Sequence, residues 1–475
     1  MPRAHPARQA LAWETLLDLG DAPLPLRDRL ESALREAVHA GRVPAGAALP
    51  PSRTLAETLG VSRWVVTEVY GQLVAEGVLE SRVGSATRVP AGVPRPAPHA
   101  VARPLRGGFQ RPTFDLGPGM PDLRYVPRSR WANAVRHALA TLPDTEFAVV
   151  DRLGHPLART AVAAYLTRSR RAIAAPDDVV ITHGATDAMT ALVDGLRAGG
   201  HRSILVEDPS WPRLREVAAS AGLTPVPVPV DDDGVDVAGL VAAAGRTGAR
   251  AALITPAHQF PSGAALAPAR REAIVRWARA VDAVLIEDDY DAEFRYDRRP
   301  VAALQGMAPE RVVLVGSLSK SLAPGFGLGW AVMPAALRER IRLGEVARPS
   351  TLDQAALARF IDAGDLERHL RAARGRFRRR RAALLTAIAR ELPGLRVTGI
   401  AAGMHAVLEL PPGVRATDAT AAAAALDVAV SPLARYRVSA AAPASDALVL
   451  GYGNLSDALV DEAVARLARG IRSLA

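Results

Sequence analysis

One residue offers an obvious place to start chemistry. Lys320 is the only lysine among 475 residues, so 58 of the 59 basic side chains are arginine. Arginine stays charged at any usable pH, whereas a lysine loses its proton readily on burial, which suits a Schiff-base amine. Lys320 sits in Gly316-Ser317-Leu318-Ser319-Lys320-Ser321, directly after the apolar run Val312-Val313-Leu314-Val315. That run reads as a buried strand stopping at Gly316, with a hydroxyl-rich loop delivering the amine. Ser317 and Ser319 flank it as phosphate-binding hydroxyls would. Nucleotide bias against lysine codons is the competing account, and it leaves those hydroxyls unexplained.

A second cluster lies 30 to 33 residues upstream, where Val284-Leu285-Ile286 ends in Glu287-Asp288-Asp289-Tyr290-Asp291. A pyridoxal ring needs a carboxylate against its pyridine nitrogen and a phenol beside its phenolate oxygen. Carboxylates two or three residues before Tyr290, at the carboxyl end of a strand where α/β folds hold ligands, can supply both with it, and Asp288 is the expected partner of the nitrogen. A solvated acidic loop or a magnesium site would use the same residues, but neither needs the lysine. Further upstream, Val179-Val180-Ile181-Thr182 feeds His183-Gly184-Ala185-Thr186, which opens a helix. Backbone amides at a helix N-terminus favour phosphate, so Gly184, Ala185 and Thr186 form the expected cradle. The cofactor indicated is pyridoxal 5'-phosphate; no metal site is indicated.

Strands alternate with helical stretches from Phe114 to about residue 333, which predicts a mainly parallel sheet covered by helices on both faces. Helical patterning takes over after Pro334. Arg371, Arg374, Arg376 and Arg378 to Arg381 crowd one segment without an acid, either a solvated face or a DNA-backbone contact.

The N-terminal part has different patterning. Leu26, Leu30, Leu34 and Val38 recur at helical spacing up to Gly41. Ser52 is placed to cap a helix with Leu55, Ala56 and Leu59 inward, and Gly60 to end it. Ser62 then caps a second helix with Val65, Val66, Val69, Tyr70 and Leu73 inward. Helix, tight turn and helix make a helix-turn-helix, and Gly77 to Val89 alternates around a turn as a β wing would. In such a module the second helix enters the major groove by its N-terminal residues. Ser62, Arg63 and Thr67 are the expected DNA contacts, with Arg53 and the wing's Arg82 and Gly84 nearby. Residues 1–89 hold ten arginines and ten acids, so the acids must lie away from the DNA. Residues 90–112 are Pro-rich, with Arg95, Arg103, Arg106 and Arg111 and no acid, a semi-extended linker that either meets phosphates or serves solubility.

The totals set limits. Apolar content is 49% with 4% aromatics, and cysteine is absent, which excludes disulfides and thiolate metal sites. No apolar stretch is long enough to span a bilayer, and no signal peptide is visible at the start. A cytoplasmic protein is expected, and the net charge of +10 suits an acidic partner.

The segments His258-Gln259-Phe260-Pro261-Ser262-Gly263, Glu287-Asp288-Asp289-Tyr290-Asp291-Ala292-Glu293-Phe294 and Ser319-Lys320-Ser321-Leu322-Ala323-Pro324-Gly325 resemble those of the MocR-type regulators. These bacterial proteins join a GntR-type winged helix to a fold-type I aminotransferase domain, and the likeness runs over roughly residues 21–470. It implies a multidomain fold: a winged helix-turn-helix, mainly α with a β wing, and an α/β pyridoxal-phosphate-dependent transferase domain. The domains would be an N-terminal segment 1–20, the DNA module 21–89, the linker 90–112 and the transferase-like domain 113–475. A smaller C-terminal α+β subdomain would begin near residue 345.

The resemblance also implies that Trp211 stacks on the pyridine ring and that Phe114 to Asp122 walls the substrate site. It implies a head-to-tail homodimer on double-stranded DNA, sensing an amine, an amino acid or the B6 cofactor itself through a Schiff base at Lys320. A working aminotransferase with an accessory DNA module, and a regulator that has lost its cofactor, are the rivals. Two departures matter. Relatives usually read Pro-Gly-x-Arg-x-Gly after the lysine, where Gly327 replaces the phosphate-clamping arginine. The C-terminal strand Leu448-Val449-Leu450-Gly451-Tyr452 lacks the usual substrate-carboxylate arginine, which leaves Arg435 and Arg437 as candidates by proximity.

Overall fold

A computed structural model describes residues 13–17, 19, 24–81, 86–91, 112–148, 151–296, 301–340, 348–439 and 446–474. The chain forms two compact units, Met1–Gln110 and Arg111–Ala475. Linker arginines Arg95, Arg103, Arg106 and Arg111 lie outside the described residues, as do Arg82 and Gly84.

In the first unit, α1 (Leu26–His39), α2 (Ser52–Leu59) and α3 (Arg63–Ala75) share one core, with Leu30, Leu34, Leu55, Val66, Val69 and Leu73 fully buried. Burying such aliphatic side chains contributes roughly 1.5–3 kcal/mol each, which is what holds so small a unit together. Gly60 ends α2 in the left-handed conformation, and Ser62 caps α3, its Oγ accepting from the Val65 amide at 3.3 Å. Ser52 does not cap α2: it is the first helical residue, and Pro51 precedes it as an N-cap without a side-chain bond. A Pro at that position already fixes the extended entry that a capping serine would secure. Behind α3, Glu80 and Arg88 exchange backbone hydrogen bonds at 2.8 and 2.9 Å, the base of the wing.

The second unit is built on an eight-stranded sheet. In chain order its strands are β1 (Val179–Thr182), β2 (Ser203–Asp208), β3 (Thr224–Asp231), β4 (Gly234–Val235), β5 (Ala251–Ile254), β6 (Val284–Asp288), β7 (Val312–Ser317) and β8 (Gly329–Val332). Their spatial order is β1-β8-β7-β6-β5-β2-β3-β4. Neighbours from β7 to β3 are parallel, while β8 runs antiparallel to both β7 and β1. A sheet covered on both faces demands unbroken apolar runs. Accordingly Val313 and Val315 pack with Met189 and Leu192 on one face, while Val312 and Leu314 join the cores of the other. β7 does not stop at Gly316 but runs through it to Ser317. Glycine is required there by crowding, since a Cβ would lie 2.4 Å from the Trp330 indole nitrogen.

A smaller lobe follows, with α4 (Ala185–Ala198) belonging to the large sheet's cover and α5 (Leu318–Ser321), α6 (Thr351–Asp362) and α7 (Asp365–Glu391) leading into it. Its sheet has the order β9-β10-β12-β11, formed by β9 (Val397–Thr398), β10 (His405–Glu409), β11 (Ser431–Pro432) and β12 (Ala447–Gly451), all antiparallel. The arginine run on α7 is not one solvated face. Arg380 is fully buried against Asp122 at 2.8 Å and Asp457 at 2.7 Å, and Arg374 and Arg381 bond the carbonyls of Glu293 and Gly399. Arg371, Arg378 and Arg379 remain exposed. A helix of 27 residues turns its side chains all round its axis, so a run in sequence cannot be one face.

Candidate functional site: a lysine-bearing cavity and a helix-turn-helix surface

The carboxyl ends of β6 and β7 and the N-terminus of α4 converge on one cavity. Gly184, Ala185, Thr186, Trp211, Asp288, Tyr290, Ser317, Ser319 and Lys320 all line it. Lys320 arrives on the single-turn helix α5 rather than on a loop, because the Ser317 hydroxyl accepts the Ser319 amide and starts the turn. Its ammonium nitrogen donates to the Gly119 carbonyl at 2.5 Å. Burial pushes its pKa down, against the pull of Asp288 and Asp291 upward.

The acidic cluster divides its work residue by residue. Glu287 is buried and accepts the amides of Leu304 and Gln305, both at 2.9 Å. Asp289 makes a two-pronged ion pair with buried Arg170, at 2.7 and 2.8 Å. Asp291 accepts from His258 Nδ1 at 2.9 Å, and the Tyr290 hydroxyl lies 3.2 Å from that same nitrogen. Asp288 and Asp291 each keep a buried oxygen, Oδ1, without a hydrogen-bond partner, but Asp291 is already held through its other oxygen by His258, which leaves Asp288 as the carboxylate without a side-chain bond. Burial, then the charge of Asp289, pushes its pKa up to about 7. A buried carboxylate oxygen without a donor is costly, so the position calls for a donor that a ligand would bring.

The residues fit pyridoxal phosphate on that ground. Asp288 Oδ1 awaits an N–H of the kind a pyridinium carries, the Lys320 amine projects into the same space, and hydroxyls and helix amides stand at one end. The Gly184 amide donates to Thr182 Oγ1 at 3.3 Å and the residue adopts φ +122°, a conformation that favours glycine, while Ala185 and Thr186, the first residues of α4, line the cavity beside it. Trp211 is 38% exposed, stands edge-on to Phe260 and stacks with Tyr436, with the Lys320 nitrogen 5.6 Å from its ring. Gly119 brings the Phe114–Asp122 loop to the cavity wall.

Arg435 and Arg437 do not line the cavity, and no arginine does so among the described residues. Arg435 is exposed, and the Arg437 carbonyl accepts from Arg215 at 3.0 Å. Sequence reasoning missed His405, which lines the cavity 4.9 Å from the His258 ring and is kept neutral by burial. Nothing local marks it, since it reaches the site only through the pairing of β10 with β12.

On the first unit, Arg53, Gly60, Val61 and Arg63 border one shallow groove between α2 and α3. Ser62, Arg63 and Thr67 are exposed. The Thr67 hydroxyl donates back to the Arg63 carbonyl at 3.0 Å, and Arg53 makes a surface pair with Glu57 at 3.2 Å. The acids therefore do not all lie elsewhere: Glu57 is in this groove, while Glu31 and Glu76 are neutralised by Arg35. Trp64, 64% exposed on the first turn of α3, was overlooked although the helical period places it opposite buried Val66 and Val69.

Together these features define a class: a helix-turn-helix DNA-binding module joined to an aminotransferase-type fold with a lysine in its cavity. Residues 26–89 match the bacterial regulatory proteins of the gntR family, and residues 115–467 match aminotransferase class I and II. The chain belongs to the MocR-type transcription regulators. It is 32% identical to the probable rhizopine catabolism regulatory protein MocR of Rhizobium meliloti, over 96% of this chain and 95% of that one. It is also 32% identical to the pyridoxine biosynthesis transcriptional regulator PdxR of Corynebacterium glutamicum, over 81% and 83%. In fold it resembles an archaeal alanine:glyoxylate aminotransferase, with TM-score 0.69 and 23% identity over 76% of this chain and 91% of that one. No helix among the described residues is long and apolar enough to cross a membrane.

Proposed function

We propose that this DNA-binding regulator holds pyridoxal 5'-phosphate in the Lys320 cavity and uses it to sense a small amine, an amino acid or the cofactor itself. The observation that carries the reading is Asp288 Oδ1, buried and unpartnered in the cavity that also receives the one lysine amine. When bound, the cofactor supplies an aldehyde that amines attack and a ring that withdraws electrons. Lys320, its proton affinity lowered by burial, provides the amine. Asp288 would hold a proton against the ring nitrogen, and the Tyr290 hydroxyl, 3.2 Å from His258 Nδ1, would be placed to donate. Ser317, Ser319, Ala185 and Thr186 would hold the phosphate, while Trp211 and Phe260, packed edge to face, would shield the cavity from water.

Ser62, Arg63 and Thr67 enter the major groove from the start of α3, with Arg53 on the flanking phosphates and the wing beside them. Two such modules in a head-to-tail homodimer would meet two half-sites of a cytoplasmic operator. Purified protein titrated with pyridoxal phosphate should develop a visible absorption band, and borohydride should fix the cofactor to Lys320. Lys320→Ala should keep DNA affinity and lose the response to amines. A colourless protein in excess cofactor, or an unaltered amine response in Lys320→Ala, defeats the reading.

A further inference from the structure

A phosphate dianion is held best by a full positive charge, and hydroxyl and amide dipoles supply only part of one. Among the described residues lining the cavity, three side chains can carry that charge: Lys320, His183 and His405. The Lys320 amine is engaged with the Gly119 carbonyl and lies within the field of Asp288. His405 is buried on β10 beside His258 and is kept neutral. His183 differs from both. It directly precedes the cradle glycine, its imidazole is exposed, and it lines the cavity with Thr186, Ser317 and Ser319. Its backbone amide donates to Asp187 Oδ2 at 2.9 Å, which fixes the residue at the mouth of α4.

Across from it stands Gly327, with φ +56°; a Cβ added there meets only His183 Nδ1, at 4.0 Å. The imidazole and position 327 thus face one another beside the phosphate cradle. We infer that His183 is the cationic phosphate ligand of this chain, occupying the role that a side chain at position 327 would otherwise fill. The inference rests on the cofactor reading above and adds to it a residue and a mechanism of retention.

The experiment compares two ligands of the apo full-length protein by equilibrium dialysis: pyridoxal phosphate and pyridoxal, which has the same ring and aldehyde without the phosphate. His183→Ala should weaken pyridoxal phosphate about ten-fold or more, the range of one charge-assisted contact, and leave pyridoxal unchanged. His183→Gln, which keeps a hydrogen bond without charge, should fall between. Adding Gly327→Arg to His183→Ala should restore most of the loss. Pyridoxal phosphate affinity within two-fold of wild type in His183→Ala, or equal losses for both ligands, overturns the inference while leaving the cofactor reading intact. Wild-type protein that binds neither ligand overturns both.

Discussion

Asp288→Asn separates what the cavity costs from what it does. The side chain keeps its shape and loses its charge. In the folded protein this carboxyl has its pKa raised from 3.8 to about 7, chiefly by burial. A raised carboxyl pKa contributes stability that is fully present below its unfolded pKa and is lost as pH rises through the folded one. Between about pH 4 and pH 7 the apo protein should therefore surrender on the order of 4 kcal/mol at this residue, at about 1.36 kcal/mol per decade of proton affinity. Asp288→Asn removes that loss. Apo variant and wild type should unfold at similar urea concentrations near pH 4, and the variant should be the more resistant at pH 8. Pyridoxal phosphate should reverse the order at pH 8, since only wild type offers a carboxylate to the ring nitrogen. Urea unfolding followed by tryptophan fluorescence, at both pH values with and without cofactor, tests all four corners. Parallel pH profiles for the two apo proteins would show that Asp288 is not strained by burial, and the site would lose its main physical signature.

Arg63→Ala should lower affinity by about 1–3 kcal/mol for a selected operator if the guanidinium makes a two-pronged base contact. Gel shifts on an operator enriched from random DNA decide this, and unchanged affinity removes Arg63 from the interface. Arg380→Leu should destabilise the second unit by about 3 kcal/mol, toward the lower end for a broken buried pair because Arg124 still holds Asp122 at 2.8 Å. A urea midpoint equal to wild type would mean that the buried pair contributes nothing.

What the sequence disclosed was local. Lys320, Asp288, Tyr290 and the start of α4 each sit at a strand's end, where a few neighbouring residues fix both backbone and chemistry. The parallel run of strands was visible because doubly covered strands must be apolar throughout, as in Val312 to Val315. Contacts made across the fold were not visible. The Gly119 carbonyl meets the lysine amine from 201 residues away, and His405 arrives on a strand of another lobe. Crowding was equally hidden: Gly316 looked like a strand terminator and is a strand residue under an indole. The arginine run misled for the opposite reason, since charge in sequence says nothing about which turn of α7 buries it.

The lone lysine, held by a loop carbonyl inside a cavity, has a consequence for handling the molecule. Reagents that seek ε-amines find a single address in 475 residues, and that address lies in the cavity. Acylation or reductive capture, read on the peptide that carries Lys320, reports how many cavities are open in a sample without any engineered tag. Any reagent that reaches this amine has to pass between walls that include Trp211 and Phe260.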